Sequence, residues 1–282
     1  MTRPDDEARR RYWGQQMDAA RTFMAAILSY PVRECGEPLV SLEEAAASAG
    51  VDVRFSAKPH ARGLPRRFFL RERQIPGFLA AAREMNDRGW VLTVEDGFRT
   101  REMQKHLALR PEIFPVVLRM VTWERGGVVP DVEFFRHRLA AVVASCPKLG
   151  THMSGSAIDV SVTTADGDEV DRGGPYLAMS EVTPMGSPFV SEGAQRNRTE
   201  ITSLMARHGF STYPFEFWHY NSGDAFHEYQ ARSGATARYG AVDVDLSTGR
   251  VTPISDPEEP LNSAREIQER IDEVLSSPGR SA

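Results

Sequence analysis

At 282 residues, 41% of them hydrophobic and 26% charged, the chain is long enough for a sizeable core and has the balance of an ordinary globular protein. Its net charge of −5, from 34 basic and 39 acidic residues, and the lack of any long Lys/Arg block exclude a nucleic-acid ligand as the expected partner. No apolar run reaches the length of a membrane span, and the start MTRPDDEARRRYW lacks the apolar stretch of a secretory signal, so the expected location is cytoplasmic. Cys35 and Cys146 are too few for a disulfide framework and read as buried small hydrophobes.

Trp13, Met17, Ala20, Met24 and Ile27 recur at helical spacing, which predicts an amphipathic helix over residues 1–30, stopped before Pro31. Ser41 with Glu44 is a capping-box signature for a short helix that ends at Gly50. Residues 51–55 alternate as a strand, and a basic loop with Pro and Gly runs on to Arg67. Pro76 and Gly89 bound a helix over 76–88. Residues 90–94 then form a strand that delivers Asp96, Gly97, Phe98 and Arg99 at its C-terminal tip. A helix is expected over 100–109, and residues 116–127 are left undecided between helix and loop. Another helix is expected over 131–145, with Phe134, Phe135, Leu139 and Val142 on its inner side.

After a small-residue turn at Ser154-Gly155-Ser156, the chain alternates again. Ile158, Val160 and Val162 face a core while Asp159 and Ser161 face the other way, as on a half-buried strand. Residues 164–193 are rich in Gly, Pro, Asp and Ser and read as loops. A helix over 200–208 ends at Gly209, and residues 210–220 read as one strand. Strict alternation puts Glu216 and His219 on opposite faces of it, so both can face one site only through a bulge or a local twist. A hairpin over 242–251 turns at Ser247-Thr248-Gly249. A Pro-rich link and a polar helix over 263–276 complete the chain, in which no internal repeat is found.

The chemistry concentrates in THMSGSAIDVSV (151–162) and FEFWHY (215–220). His152, Asp159 and His219 are two imidazoles and one carboxylate, the kind of three-donor set that holds catalytic Zn²⁺ with a fourth position open. Glu216 is then free to act as a base on water. HxxGxAxD followed by ExxH resembles the D-Ala-D-Ala dipeptidase and carboxypeptidase family of zinc peptidases, and most of all its VanX-type dipeptidase branch. Glu95-Asp96-Gly97-Phe98-Arg99, Met185-Gly186-Ser187-Pro188-Phe189, Asn197-Arg198 and Trp218-His219-Tyr220 agree with it in order. The resemblance runs over residues 51–229.

What the resemblance implies is an α+β, hedgehog/DD-peptidase-like fold, in which an antiparallel sheet carries the zinc site and helices cover its other face. It divides the chain into an N-terminal helical extension (1–50), a catalytic domain (51–230) and a C-terminal hairpin and helix extension (231–282). The implied ligands are His152, Asp159 and His219. Glu216 is the implied general base and acid, Arg99 the group that stabilises the oxyanion, and Trp218 one of the substrate-binding residues. Asp96 either holds Arg99 in place or caps the helix that follows. His60, His106, His137, His208 and His227 have no ligand-like spacing, His60 lying nearest the presumed substrate end.

The pattern departs from the dipeptidases at three positions. Where they grip the substrate ammonium with an acid, a tyrosine and a serine, this chain has Val190, Phe55 and Gly150. Two explanations stand open. Either Glu192 or another loop acid takes over the ammonium, or the substrate has no charged amine and Val190 and Phe55 line an apolar subsite. The expected activity is zinc-dependent hydrolysis of a small peptide, with a D-Ala-D-Ala-like dipeptide as first choice and an N-blocked or specialised amide as the alternative, and with no nucleic-acid or membrane partner. The rival from another class is a zinc-holding binding module of the hedgehog kind, which needs no base and no oxyanion cation.

Overall fold

The amphipathic stripe near the N-terminus folds as α1 (Pro4–Leu28) and buries Trp13, Met17, Ala20, Phe23, Met24 and Ile27. The computed structural model describes residues 4–277; residues 1–3 and 278–282, at the ends of the two expected extensions, lie outside the described residues. β1 (Leu39–Ser41) leads into α2 (Leu42–Ala49). The Ser41 side chain accepts from the Glu44 amide, and Gly50 closes the helix in the left-handed conformation. Next come β2 (Val53–Phe55), β3 (Phe69–Arg71), α3 (Ile75–Asp87), β4 (Trp90–Asp96) and α4 (Arg101–Leu107). The undecided segment is helical as α5 (Phe114–Glu124). α6 (Val132–Leu139) is shorter than the expected 131–145, because the chain leaves the helix after Leu139 and residues 140–144 turn to line a cavity.

β5 (Ala157–Thr164) follows, and then α7 (Glu192–Arg207), which begins well before the expected residue 200 because Ser191 caps it, accepting from the Ala194 amide. β6 (Ser211–Thr212), β7 (His219–Asn221), α8 (Ala225–Ala231), the β8 (Val242–Asp245) and β9 (Arg250–Pro253) hairpin, and α9 (Ala264–Ser276) complete the chain. α9 carries a full capping box between Ser263 and Glu266. Cys35 is exposed, against the expectation that both cysteines are buried; Cys146 is buried. Among the described residues no helix is long and apolar enough to cross a membrane.

The fold is α+β. Its central sheet has the order β2-β4-β5-β7-β6, antiparallel except where β2 runs parallel to β4 at the edge. α3 and α7 cover one face, packing Phe78, Met85, Ile201 and Leu204 on Leu92, Ile158, Val160 and Tyr220. Against the other side lies a second core, in which α1, α5 and α6 meet the aromatic residues Tyr213, Phe215, Phe217 and Trp218. β5 is therefore covered on both faces, and its alternation marks an apolar face and a polar buried face rather than a wet one.

Residues 210–220 are not one strand. Ser211 and Thr212 pair with Asn221 and Tyr220 as a hairpin, and residues 213–218 form its loop. Glu216 stands in that loop, its amide donating to the Tyr213 carbonyl. The face problem posed by alternation is thus met by a turn between Glu216 and His219, with no bulge required. The turn before β5 depends on Gly155, at φ 65°, where an added Cβ would sit 2.3 Å from Leu39 Cδ2. Replacing Gly155 by Ala combines a left-handed backbone penalty with overpacking and is expected to cost about 2–4 kcal/mol. A lowered urea midpoint at unchanged slope checks this; a midpoint equal to that of the parent contradicts it.

Candidate metal centre

Strand register brings the polar groups into line. Asp96 on β4 pairs with Asp159 on β5, and Asp159 pairs with His219 on β7, so the three stand in one row across neighbouring strands. The β4–β5 register shifts between Val94 and Asp96, the irregularity that puts Asp96 opposite Asp159. His152 arrives from the turn before β5. Its Nε2 lies 3.2 Å from Asp159 Oδ1, and His219 Nδ1 lies 3.1 Å from the same oxygen. Ligand atoms of His152, Asp159 and His219 all lie within 4.8 Å of one another, and all three residues are buried.

The outer nitrogens set the tautomers. His152 Nδ1 is 2.7 Å from the Gly97 carbonyl, which can only accept, so that nitrogen carries the proton and Nε2 presents its lone pair. His219 Nε2 is 3.0 Å from Thr151 Oγ1, where it can donate in the same way. Burial pushes His219 below its usual pKa, only partly offset by Asp159, which favours the neutral ring. Burial opposes charge on Asp159 too, but His152, His219 and Arg99 outweigh it and hold the carboxyl well below the usual range. Two imidazole lone pairs and one carboxylate oxygen therefore face one point, where they repel one another unless a cation lies between. The mixed N and O donors fit Zn²⁺ better than Mg²⁺ or Ca²⁺, which prefer oxygen throughout.

The second oxygen of Asp159 is held from outside. Arg99 Nη2 donates to Oδ2 at 3.0 Å and the Tyr176 hydroxyl donates to it at 2.9 Å. Arg99 also donates from Nε to Asp96 at 2.9 Å and from Nη1 to Gln104 at 3.3 Å. Asp96 in turn meets Arg66 at 2.9 Å and His60 at 3.6 Å. It does not cap α4; Thr100 does, accepting from the Met103 amide. Of the two roles left open for Asp96, holding Arg99 is the one with contacts behind it. Tyr176 escaped the sequence reading because it is a lone hydroxyl in a long irregular stretch. Burial and the charge of Asp159 push its pKa well up, so it remains a donor.

A narrow cavity opens beside these donors, lined by Arg99, Gly150, Thr151, His152, Asp159, Glu216, Trp218 and His219 on its polar side. Glu216 is only 8% exposed. Burial raises its pKa well above the usual value and the charge of Asp159 adds to this, while Arg99 and a hydrogen bond from Trp218 oppose it. Phe55, Val190 and Glu192, expected at the substrate, do not line this cavity. Phe55 packs on Phe68, 5.1 Å between ring centroids, in the core beneath α3. Val190 packs over Gly173, so closely that a Cβ there would meet its Cγ1 at 2.3 Å. Glu192 opens α7 with its side chain 95% exposed, near Arg196. Each was placed by its position along the chain, which does not fix the direction of a side chain.

A family model described as D-ala-D-ala dipeptidase matches residues 58–237. The D-alanyl-D-alanine dipeptidase of Escherichia coli (strain K12) is 33% identical over 69 residues, 24% of this chain and 36% of that protein. The D-alanyl-D-alanine dipeptidase of Enterococcus faecium is 34% identical over 71 residues, 25% of this chain and 35% of that protein. The match thus spans about a third of the length of these curated relatives. Among solved structures, the LD-carboxypeptidase LdcB superposes with a TM-score of 0.38 at 17% identity, over 74% of this chain and 80% of the other. The vancomycin-resistance D,D-pentapeptidase VanY, in complex with Zn(II), gives a TM-score of 0.34 at 18% identity, over 71% and 92%.

Two outcomes follow from the contacts around Asp159 and Asp96. Tyr176→Phe, which removes one donor to Oδ2, is expected to weaken Zn²⁺ binding about 10- to 100-fold in competition with a chromophoric chelator; undiminished affinity would show that the hydroxyl does not orient the carboxylate. His60, buried against Asp96, has its pKa lowered to about 3, chiefly by burial. Between the ordinary value near 6.5 and that value, the unfolded chain takes up a proton that the folded chain refuses. Stability should therefore fall as pH drops through this window, with His60 contributing up to about 1.4 kcal/mol per pH unit. His60→Phe should flatten the slope measured by denaturant unfolding at several pH values.

Proposed function

This chain belongs to the D-ala-D-ala dipeptidase family, and on that footing we propose that it is a zinc-dependent hydrolase of small peptides of the D-alanyl-D-alanine type, with residues 51–230 as its catalytic unit. The observation that carries the reading is the convergence of His152, Asp159 and His219 on one point, with Glu216 on the wall of the same cavity. Those three side chains would hold the cofactor, Zn²⁺, which when bound supplies Lewis acidity toward a water molecule and the scissile carbonyl.

The chain's own groups do the rest. Glu216 takes a proton from the attacking water at its carboxylate and passes it to the departing amine nitrogen. Its raised proton affinity suits the uptake, and the positive charge of Arg99 nearby keeps it able to release the proton again. Arg99 has N–H groups beyond its bonds to Asp96, Gln104 and Asp159, and it lines the cavity. A fixed guanidinium there stabilises negative charge as it builds on the carbonyl oxygen. Thr151 and Gly97 keep the two imidazoles turned inward, and Trp218 helps to exclude water. A zinc-holding binding module has no use for a buried, proton-retaining carboxylate beside the donors, so Glu216 favours the enzyme over that rival. We place the activity in the cytoplasm, a reading supported by two free cysteines, one of them exposed.

Glu216→Ala should keep Zn²⁺ at the level of the parent, measured by elemental analysis, while turnover of D-alanyl peptides falls about 10²- to 10⁴-fold. Undiminished turnover in that variant would remove Glu216 from the mechanism.

A further inference from the structure

The charged groups around the cavity are already committed. The acids that line it are Asp159 and Glu216. One Asp159 oxygen faces the two imidazoles and the other takes Arg99 and Tyr176, while Glu216 is needed for the proton. A substrate carboxylate has the remaining N–H groups of Arg99 to turn to. A substrate ammonium has no uncommitted acid among the described residues lining the cavity, and burying it unpaired costs several kcal/mol. Glu192, the sequence-level candidate for that role, is on the outer surface.

The rest of the cavity wall is apolar. Met24 of α1, Leu107 at the end of α4, Ile113 and Val142 line it together with Leu177 and Met179 from the loop after β5. Met24 lies outside the 58–237 span matched by the family model, so part of this wall comes from beyond that span. Leu177 adopts φ 66°, a left-handed backbone that costs a branched apolar residue about 1–2 kcal/mol. The loop holds it there through the turn in which the Ala178 amide donates to the Pro175 carbonyl, and through the adjacent Tyr176 on Asp159. Strain kept at a side chain that lines the cavity marks a place where shape is being selected.

We propose that the residue contributing the scissile carbonyl carries an uncharged, apolar acyl chain on its amino end, and that Leu177 is a specificity-determining residue for that chain. This rests on the amide-hydrolase reading above. Water adds across the C–N bond: the hydroxyl goes to the carbonyl carbon, the proton goes to the departing nitrogen, and an N-acylated amino acid and a free amino acid leave.

The test compares D-alanyl-D-alanine with a free, an acetylated and a hexanoylated amino end, on the zinc-loaded full chain. kcat/KM for the hexanoyl compound is expected to exceed that for the free dipeptide at least tenfold; a smaller ratio, or a preference for the free amine, overturns the inference while leaving the hydrolase reading intact. Binding of the same compounds to zinc-loaded Glu216→Ala, by calorimetry, separates the two claims if no compound is cleaved. At least tenfold tighter binding of the hexanoyl compound then upholds the apolar site and sinks the hydrolase; no such preference sinks the inference as well. Leu177→Glu, which offers an acid to the ammonium, should lower the hexanoyl-to-free ratio at least tenfold, and an unchanged ratio removes Leu177 from the selection.

Discussion

The carboxylate of Asp159 is the group on which the rest of this structure depends. It is an anion buried at the middle of a sheet, and each of its oxygens has a separate task. Oδ1 meets the imidazoles of His152 and His219; Oδ2 is tied to Arg99 and Tyr176. A buried carboxylate shared in this way cannot rotate without leaving a polar partner unpaired, so its orientation is fixed before any ion arrives. The network extends outward through Arg99 to Asp96, and from Asp96 to Arg66, so that two acids and two arginines roughly balance. Such networks are weak evidence of net stability but strong constraints on geometry.

That balance also links the metal donors to Glu216. With the local charges nearly cancelled, burial dominates the acid and favours its protonated form. A divalent ion held by His152, Asp159 and His219 would add positive charge nearby and favour the ionised form. The proton affinity of Glu216 and ion binding would thus be coupled by electrostatics. The loop between β6 and β7 places Glu216 on the wall of the cavity that the donors line.

Local signals in the sequence were legible because they are decided locally. Ser41 and Gly50 announced the limits of α2, and Pro76 with Gly89 announced those of α3. The spacing around His152, Asp159 and His219 pointed to three side chains whose ligand atoms lie within 4.8 Å of one another, and Glu216 lines the same cavity. What sequence could not supply was the effect of distant packing. Residues 210–220 look like a strand by composition, yet the aromatic side chains of 213–218 are drawn into the core beneath α1, and the strand splits into a hairpin. Likewise α6 ends where the cavity needs a wall. Tyr176 has no neighbour in sequence to betray it, since its only signal is a hydroxyl that reaches Asp159 across a folded loop. Phe55, Val190 and Glu192 do not line this cavity, for the converse reason: position along a chain does not say which way a side chain points.

The division between the donors and the apolar wall has a consequence for how such a site diversifies. Asp159 and His219 sit on paired strands, where a one-residue slip would turn every side chain to the wrong face. The wall comes from α1, the end of α4, the turn after α6 and the loop after β5, segments outside the five strands of the central sheet. Substitutions among Met24, Leu107, Ile113, Leu177 and Met179 change the shape offered to a ligand while leaving the register of Asp96, Asp159 and His219 untouched. Because Met24 and Ile113 also belong to the core under α1, however, the wall cannot vary freely; each change in the cavity is felt as a change in core packing. Leu177 is the exception. It lies at the edge of that core, in a loop that already tolerates a left-handed backbone, and it is where the ligand preference can shift at least cost to the fold.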